Sequence, residues 1–387
     1  MSIYPKLLLL SLLLANSSLY AVDASPRIEP GYAPQESGDE QGVWLELEEY
    51  EQAIRHSALL IRDPDVNAYV RNATCRVAGD YCQDLRTYVI RNPYFNASMT
   101  ANGVVQIWTG LLVRISSEDE LAAIIGHELA HYTQLHSLER LRRLSRNMTL
   151  GSILDLGLAL LTGYYIPAGQ LAGVANTLAY SREQEGEADI VGARFMAWAG
   201  YDPNAAVSVW KMIVAEESAA VTKEKEPGLF SRTHPDADDR IQALESFLAQ
   251  DFTDLEPDPA GRQKHLAFLN NHYMMLMEDQ LDTNRFGRTQ AILERHYELG
   301  VRENLLHFFQ GEMYRQRKQE GDAERALEAY QLAVLGNEPV ADAYLNLGYL
   351  LWKKHRFSAA KDNFRIYLQL QPDADDRAMI EYYLEES

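Results

Sequence analysis

Cysteine is scarce in this sequence, with only Cys75 and Cys82 among 387 residues. Two cysteines without histidines nearby do not make a zinc site, so a cysteine-based metal centre is excluded. The pair lies seven positions apart and flanks Gly79-Asp80. Because the N-terminus predicts export, as argued below, we expect a disulfide across this turn, with two unrelated thiols as the alternative.

Basic residues are also few, since 36 Lys and Arg stand against 56 Asp and Glu and give a net charge of −20. A chain this acidic has neither nucleic acid nor an anionic membrane surface as its main partner. Hydrophobic residues make up 47% and charged residues 24%, which is typical of a globular protein. The length suits two or three domains.

The apolar run at the N-terminus is short. Lys6 is followed by Leu7–Ala15 and then by small residues up to Ala24. One positive charge, a short apolar run and small residues predict a secretory signal peptide over residues 1–24, cleaved near 21–24. The run is too short to span a bilayer comfortably, and a buried N-terminal helix is the alternative.

The segment before residue 110 predicts helix and sheet. Apolar residues at helical spacing predict a helix over about 42–72. Alternating β-branched and aromatic residues predict two strands, Arg86–Arg91 and Val104–Trp108. Residues Asn96–Asn102, between the strands, are predicted as a turn-rich stretch.

A predicted long helix carries the first chemical motif. Ser117-Glu118-Asp119-Glu120 has the pattern of a capping box, and we expect the helix to run through about Leu141. His127 and His131 are one turn apart on its surface, so two imidazoles can grip one zinc ion. Glu128 lies beside the first ligand, where it can take a proton from water and pass it to the leaving amine.

A catalytic zinc needs a third protein ligand, and a second acidic helix at about 181–199 offers Glu183, Glu185 and Glu187. Glu185 and Asp189 are four apart on one helical face, so Glu185 can bind the metal while Asp189 accepts a hydrogen bond from a ligand histidine. We therefore favour Glu185 over the other two glutamates and expect Glu187 to point to the opposite side. Six other histidines are expected to be surface or packing residues: His136, His265, His272, His296, His307 and His355.

These motifs resemble a known family. The segments His127–His131 and Ser181–Asp189 are similar to those of the HtpX and CAAX-prenyl-protease family of gluzincins. Residues Asn96–Met99, Gly103–Val105 and Thr109–Leu112 are similar to the strand segment that precedes the zinc helix in that family. The resemblance implies a helical metallopeptidase domain with a small sheet, one zinc ion per chain and Glu128 as the catalytic base.

The resemblance also concerns a downstream motif, Thr233-His234-Pro235 followed by Arg240-Ile241. In that family the corresponding histidine sits over the zinc. His234 is therefore a candidate fourth ligand that blocks the water site, or an oxyanion helper after it swings away, and a loop histidine that caps the next helix is the alternative. Arg240 is a candidate catalytic residue that steadies the ligand partners or the oxyanion, with a surface salt bridge as the alternative.

A glycine-rich apolar stretch at 148–180 contains the long hydrophobic run Met148–Ile166. A single membrane span there would separate His131 from Glu185, although both must bind one zinc ion, so it is excluded. A second span needs a further apolar run, which 168–180 is too short to supply. We expect a helical hairpin that covers the site or makes peripheral contact with a membrane surface, with core packing as the alternative.

The C-terminal part contains repeats, after a linker predicted from Pro257 and Pro259. The positions typical of a tetratricopeptide repeat of about 34 residues hold Tyr344, Leu347, Gly348, Leu351, Ala360, Phe364 and Pro372. A weaker copy contains Gly311, Tyr314, Ala326, Tyr330 and Pro339. Two adjacent copies that each end in proline favour a repeat array over a plain helical bundle.

The sequence thus predicts a mainly α protein with a signal peptide at 1–24, a gluzincin metalloprotease domain at 25–255 and a tetratricopeptide-repeat solenoid at 262–387. The expected reaction is peptide-bond hydrolysis, with an extended substrate along the edge of the 86–108 sheet. Secretion combined with C-terminal repeats resembles a branch of periplasmic proteases of Gram-negative bacteria, which implies outer-membrane assembly machinery or its immature clients as partners. A mostly latent protease that acts as a chaperone or adaptor, and a purely structural zinc domain, are the rival interpretations.

Overall fold

The computed structural model describes residues 25–34, 39–145, 179–220, 229–235, 237–252, 259–335 and 338–386. The predicted signal peptide, nearly all of the apolar stretch at 148–180 and the linker around Pro257 lie outside the described residues. Within the described ranges, no helix is both long and apolar enough to cross a bilayer.

Two helices, α1 (Asp39–His56) and α2 (Pro64–Ala78), occupy the region predicted as one helix over 42–72. The prediction of one helix was wrong, because the helix is interrupted between His56 and Pro64. A new helix begins there because the Asp63 carboxylate accepts hydrogen bonds from the first backbone N–H groups of α2 and Pro64 occupies its first turn. The Cys75–Cys82 disulfide is present in the structure and ties α2 to the following 3₁₀ turn.

The three-stranded sheet has the order β1 (Arg86–Ile90), β3 (Val104–Trp108), β2 (Ala97–Met99), with β1 parallel and β2 antiparallel to β3. Both predicted strands are present. The turn-rich interpretation of Asn96–Asn102 was wrong for Ala97–Met99, which form the third strand. Strand β2 is therefore an edge of the sheet.

The long helix predicted to reach about Leu141 is broken. After the short α3 (Thr109–Leu112), helix α4 (Glu118–Thr133) ends at Gln134, and α5 (His136–Ser145) begins two residues later. Leu135, between them, has a positive φ of 60°, which interrupts the helix and is rare for a residue with a side chain. Ser117 caps α4 as predicted, by accepting a hydrogen bond from the Glu120 backbone N–H.

Helix α6 (Arg182–Trp198) packs tightly against α4. Ser181 and Gln184 form a complete capping box at its start. A Cβ atom added to Gly126 would come within 2.8 Å of the Gly192 carbonyl oxygen, and one added to Gly192 would come within 2.8 Å of the His127 backbone nitrogen. Glycine at both positions brings the two motif helices close enough for their side chains to meet. Helices α7 (Asn204–Ala219), α8 (Leu229–Thr233) and α9 (Ala237–Asp251) complete this part.

The C-terminal region is helical throughout its described residues: α10 (Pro259–Asp282), α11 (Phe286–Leu299), α12 (Glu303–Arg317), α13 (Asp322–Ala333), α14 (Ala341–Lys353), α15 (Phe357–Leu370) and α16 (Arg377–Glu385). Helices α12 and α13 pack as one pair and α14 and α15 as the next. In each pair a glycine contacts an aromatic ring of the partner helix, Gly311 with Tyr330 and Gly348 with Phe364.

A buried polar network joins α10 and α11 to the N-terminal part of the protein. The Arg114 guanidinium, 4% exposed, pairs with Glu216 at 2.9 Å and donates to the Gln280 side-chain oxygen at 2.8 Å. The His296 Nε2 lies 2.8 Å from the Val113 carbonyl oxygen, to which it donates. The first two helices after the predicted linker therefore share the packing of the region around α4.

Candidate metal centre

The two histidines of α4 face each other as their helical spacing predicts. Their Nε2 atoms are 3.1 Å apart, and both side chains are buried. Two neutral imidazole nitrogens with lone pairs repel at this distance unless a proton or a cation lies between them. The pair is thus arranged to share either a proton or a cation.

Glu185 from α6 and His234 from the end of α8 complete the cluster. The Glu185 carboxylate oxygens lie 3.5 Å from His127 Nε2 and 3.7 Å from His131 Nε2. The His234 Nδ1 lies 3.2 Å from His127 Nε2 and 3.0 Å from Glu185 Oε1. One potential ligand atom from each of the four residues lies within 4.8 Å of the other three, and all four side chains are buried.

This donor set fits zinc. Ligand atoms around a tetrahedral zinc at ordinary bond lengths are about 3.3 Å apart. The shortest contacts of Glu185 and His127 with the other ligands run from 3.0 to 3.7 Å, and the whole set lies within 4.8 Å. Three imidazoles and one carboxylate are ligands that zinc takes readily. Glu183, the other candidate ligand, is exposed at the start of α6, while Glu187 turns away from the cluster.

His127 is held by Asp189 and Arg240. Its Nδ1 lies 3.1 Å from Asp189 Oδ1, and Arg240 Nε donates to Asp189 Oδ2 at 2.7 Å. Arg240 is 5% exposed and packs over the Trp210 ring at 3.8 Å, so it does not form the surface salt bridge of the alternative interpretation. Burial alone would lower the pKa of His127, but hydrogen bonds to Asp189 and Glu185 raise it to about 9. Metal binding at Nε2 therefore releases a proton.

His131 has surroundings that the sequence did not reveal. Tyr180 stacks on its ring at 3.7 Å between centroids, and its Nδ1 lies 3.0 Å from His136 Nδ1. Burial, together with the nearby His127, holds the pKa of His131 well below its usual value, so the imidazole is neutral and able to bind a metal. His136, predicted as a surface or packing residue, is 1% exposed, which agrees with packing, and it also contacts His131 of the cluster.

Glu128 lies beside the cluster. Its Oε2 accepts a hydrogen bond from the Met99 backbone N–H at 3.1 Å, so the edge strand β2 fixes the carboxylate. Its Oε1 is 3.4 Å from His234 Nε2 and has no hydrogen-bond partner among the described residues. Burial raises the pKa of Glu128, which moves this carboxylate toward the range of a general base near neutral pH.

Comparisons with known proteins agree with this geometry. Residues 60–248 match the profile of Peptidase family M48. The mitochondrial metalloendopeptidase OMA1 of Schizosaccharomyces pombe is 34% identical over 167 residues, which cover 42% of this chain and 46% of that protein. The beta-barrel assembly-enhancing protease of Yersinia pestis is 29% identical over 231 residues, 57% of this chain and 46% of that protein. Its Escherichia coli K12 counterpart is 25% identical over 252 residues, 60% and 50% of the two chains. The chain spans about half the length of the curated relatives it matches.

Proposed function

Residues 60–248 of this chain belong to peptidase family M48, and from this premise we propose that the protein is a zinc-dependent endopeptidase of the cell envelope. The observation that carries the proposal is the buried cluster of His127, His131 and Glu185 with an acidic side chain beside it. A purely structural zinc site needs no base such as Glu128. The Glu128 Oε1, without a hydrogen-bond partner among the described residues, lies 3.4 Å from His234 Nε2 of the cluster.

His127, His131 and Glu185 would hold the zinc ion. The chemistry that zinc supplies when bound is polarisation of the scissile carbonyl and acidification of a water molecule. Glu128 Oε1 accepts the proton of the attacking water, while Oε2 stays fixed by Met99 N–H. Glu128 then donates that proton to the departing amine, so a single carboxylate serves as base and as acid. Asp189 and Arg240 keep the His127 ring oriented during these steps.

Strand β2 is the edge at which an extended substrate would bind. The Asn96 carbonyl and the Thr100 N–H form hydrogen bonds with β3. Because these bonds alternate along an antiparallel strand, the backbone N–H and C=O groups of Ala97 and Met99 point away from β3. Met99 already uses its N–H for Glu128 and its carbonyl for the Ser137 hydroxyl. Ala97 is the other outward position of β2, and it is 2% exposed, so a substrate strand can pair there only after the residues that cover it move.

Removal of the metal tests the proposed reaction. We expect the chain from residue 25 onward to hydrolyse an unfolded substrate such as casein. A chelator that strips the metal should abolish hydrolysis, and stoichiometric Zn²⁺ but not Mg²⁺ should restore it, because the donor set is nitrogen-rich. The His131→Ala variant serves as the control that zinc fails to rescue. Undiminished hydrolysis after verified metal removal would refute the proposal.

The proposed clients are misfolded or stalled outer-membrane proteins in the periplasm, which the protein degrades or helps to assemble. Two observations support this proposal. Several curated relatives bear the name beta-barrel assembly-enhancing protease, and the predicted signal peptide at 1–24 fits an exported protein. The packed helix pairs α12–α13 and α14–α15 fit the predicted tetratricopeptide repeats, which would recruit the assembly machinery.

Truncation separates recruitment from catalysis. Deletion of residues 338–387 removes α14–α16 but keeps α10 and α11, which contact Arg114 and Val113. We expect the shortened chain to keep zinc and casein hydrolysis but to lose capture of outer-membrane clients in envelope pull-downs. Deletion from residue 259, the contrasting variant, strips Gln280 from Arg114 and is expected to unfold more readily. If the shorter deletion captures clients as the full chain does, recruitment by these helices is refuted.

A mostly latent protease that acts as a chaperone or adaptor remains the second candidate. His234 favours it, because its Nδ1 lies within ligand distance of the predicted zinc ligands. The sign of the change in proteolysis on His234→Ala distinguishes a gate from a catalytic helper.

A further inference from the structure

The two histidine ligands are supported in different ways on the side away from the cluster. His127 Nδ1 meets a carboxylate, Asp189, at 3.1 Å. His131 Nδ1 meets another imidazole, His136 Nδ1, at 3.0 Å. The second nitrogen of His136, Nε2, lies 3.2 Å from Glu187 Oε2. His136 is 1% exposed, and the Glu187 side chain is 18% exposed.

Zinc binding would set the direction of every hydrogen bond in this chain of contacts. An imidazole that binds metal through Nε2 carries its proton on Nδ1, so His131 donates to His136 Nδ1. His136 then accepts at Nδ1 and carries its own proton on Nε2, which donates to the Glu187 carboxylate. Only one arrangement of protons satisfies all three groups while both histidines stay neutral.

From this geometry we propose that His136 and Glu187 are positioning residues for His131, and that the N-terminal segment completes their chain of contacts through Arg27. The proposal rests on the zinc site of the proposed function. Arg27 NH2 lies 3.3 Å and 3.4 Å from the two Glu187 oxygens. Its backbone N–H donates to the Thr133 carbonyl at 3.0 Å, at the end of α4.

The fold is arranged to place His136 here. Five residues after His131, a continuous helix would carry His136 around to another face. The positive φ of Leu135 instead breaks the helix, and His136, the first residue of α5, contacts His131 Nδ1. Tyr180 stacks on a face of the His131 ring, so this ring is held both by stacking and by the bond from its Nδ1 to His136.

The same argument explains the second glutamate of Glu185-Gly186-Glu187. Two residues apart on α6, the two carboxylates point to opposite sides, as the sequence predicts. Because the helix breaks after α4, His136 at the start of α5 lies within hydrogen-bond distance of Glu187, on the side of α6 away from Glu185. Each carboxylate therefore contributes to the same metal centre, Glu185 as ligand and Glu187 through two imidazoles. Arg27 lies outside the matched residues 60–248, so this support extends beyond the recognised domain.

Zinc affinity, measured by chelator competition on the chain from residue 25 onward, tests the proposal. His136→Phe keeps an aromatic ring but removes the acceptor, and we expect a loss of roughly 10–100-fold in affinity, as for other partners of metal ligands. Glu187→Leu should weaken zinc binding in the same direction. Glu187→Gln should largely retain it, because the amide oxygen still accepts from His136 Nε2. Glu183→Leu, on the exposed side of the same helix, is the matched control and should leave the affinity unchanged.

A double variant distinguishes a relay from general damage. In the His136→Phe background the further change Glu187→Leu should cost almost nothing, because the link to His131 is already cut. The melting temperature of the metal-free protein should stay close to that of the parent in each variant, while the zinc affinity falls. Additive losses in the double variant, or zinc binding by His136→Phe as tight as that of the parent, would overturn the relay. Failure of the parent itself to bind zinc would overturn the proposed function as well.

Discussion

Replacement of Glu128 by glutamine is expected to stop proteolysis while the protein keeps its zinc. Glutamine has the same shape and retains an acceptor for the Met99 N–H, so strand β2 and α4 stay in place. It cannot take a proton from water. Loss of general acid–base catalysis typically costs 10²–10⁴-fold, and we expect a decrease of roughly 10³-fold or more in casein hydrolysis, since one group performs both transfers.

Metal content and hydrolysis are to be measured on the same preparation. Glu120→Gln, two turns earlier on α4, is the matched control, because it keeps an acceptor for the Ser116 N–H and lies away from the cluster. That control should keep full activity. Normal turnover by Glu128→Gln with zinc bound would refute the assignment of Glu128 as the base.

His234→Ala is expected to raise proteolysis, because His234 is proposed to hold the fourth zinc position at rest. Its Nδ1 lies 3.0 Å from Glu185 Oε1 and 3.2 Å from His127 Nε2, which is where a fourth ligand belongs. A ligand there displaces the catalytic water, so the enzyme stays latent until the segment that carries His234 moves. Removal of the imidazole opens the water position, while the three other ligands retain the metal.

The opposite sign identifies the competing role. If His234 is an oxyanion donor, the same substitution lowers the rate by about 10²-fold, as loss of one such donor typically does. Casein hydrolysis and self-cleavage of the purified protein, with zinc content measured in parallel, distinguish the two results. His272→Ala, on α10 and outside the cluster, controls for loss of a histidine. A clear fall in activity with zinc bound would exclude the gate, and no change would assign His234 to helix capping.

The neighbours of His234 show how such a gate can be stable and still open. Phe230 stacks on its ring at 4.5 Å between centroids, and the His234 backbone N–H donates to the Phe230 carbonyl at 2.8 Å. Phe230 in turn stacks on Trp210 of α7. Because these contacts come from α8, a helix of five residues, displacement of the helix breaks few hydrogen bonds.

Local periodicity explains how much of the site could be predicted. His127, Glu128, His131, Glu185 and Asp189 lie on two regular helices, where spacing fixes which side chains share a face. The structure places all five around one centre, with Asp189 on His127 as expected. His234 lies outside a long helix, and only the family resemblance singled it out.

The contact of His136 with the site, and the helix and strand boundaries that were predicted wrongly, depend on breaks in the backbone that residue spacing does not reveal. His136 was predicted as a surface or packing residue because it lacks a ligand partner at helical spacing. The positive φ of Leu135, which places it against His131, is set by the tertiary fold rather than by leucine's own preference. The gap between α1 and α2 and the short strand β2 were missed for a related reason. Each depends on a short backbone pairing between residues distant in sequence. Leu60, in the gap between the helices, pairs with Ile90, and Ser98 of β2 pairs with Gln106.

The contacts of Val113 and Arg114, just before α4, with helices α10 and α11 also fix the order in which the chain can complete its packing. Arg114 donates to Gln280, which lies 166 residues later in the sequence, and the Val113 carbonyl accepts from His296, 183 residues later. Because a nascent chain emerges from its N-terminus, the helix with His127 and His131 is complete in sequence long before its supports exist. The catalytic core reaches its final packing only after α11 has been made. The metal centre of a chain assembled in this order therefore lacks part of its supporting packing until residues 259–299 have folded against it.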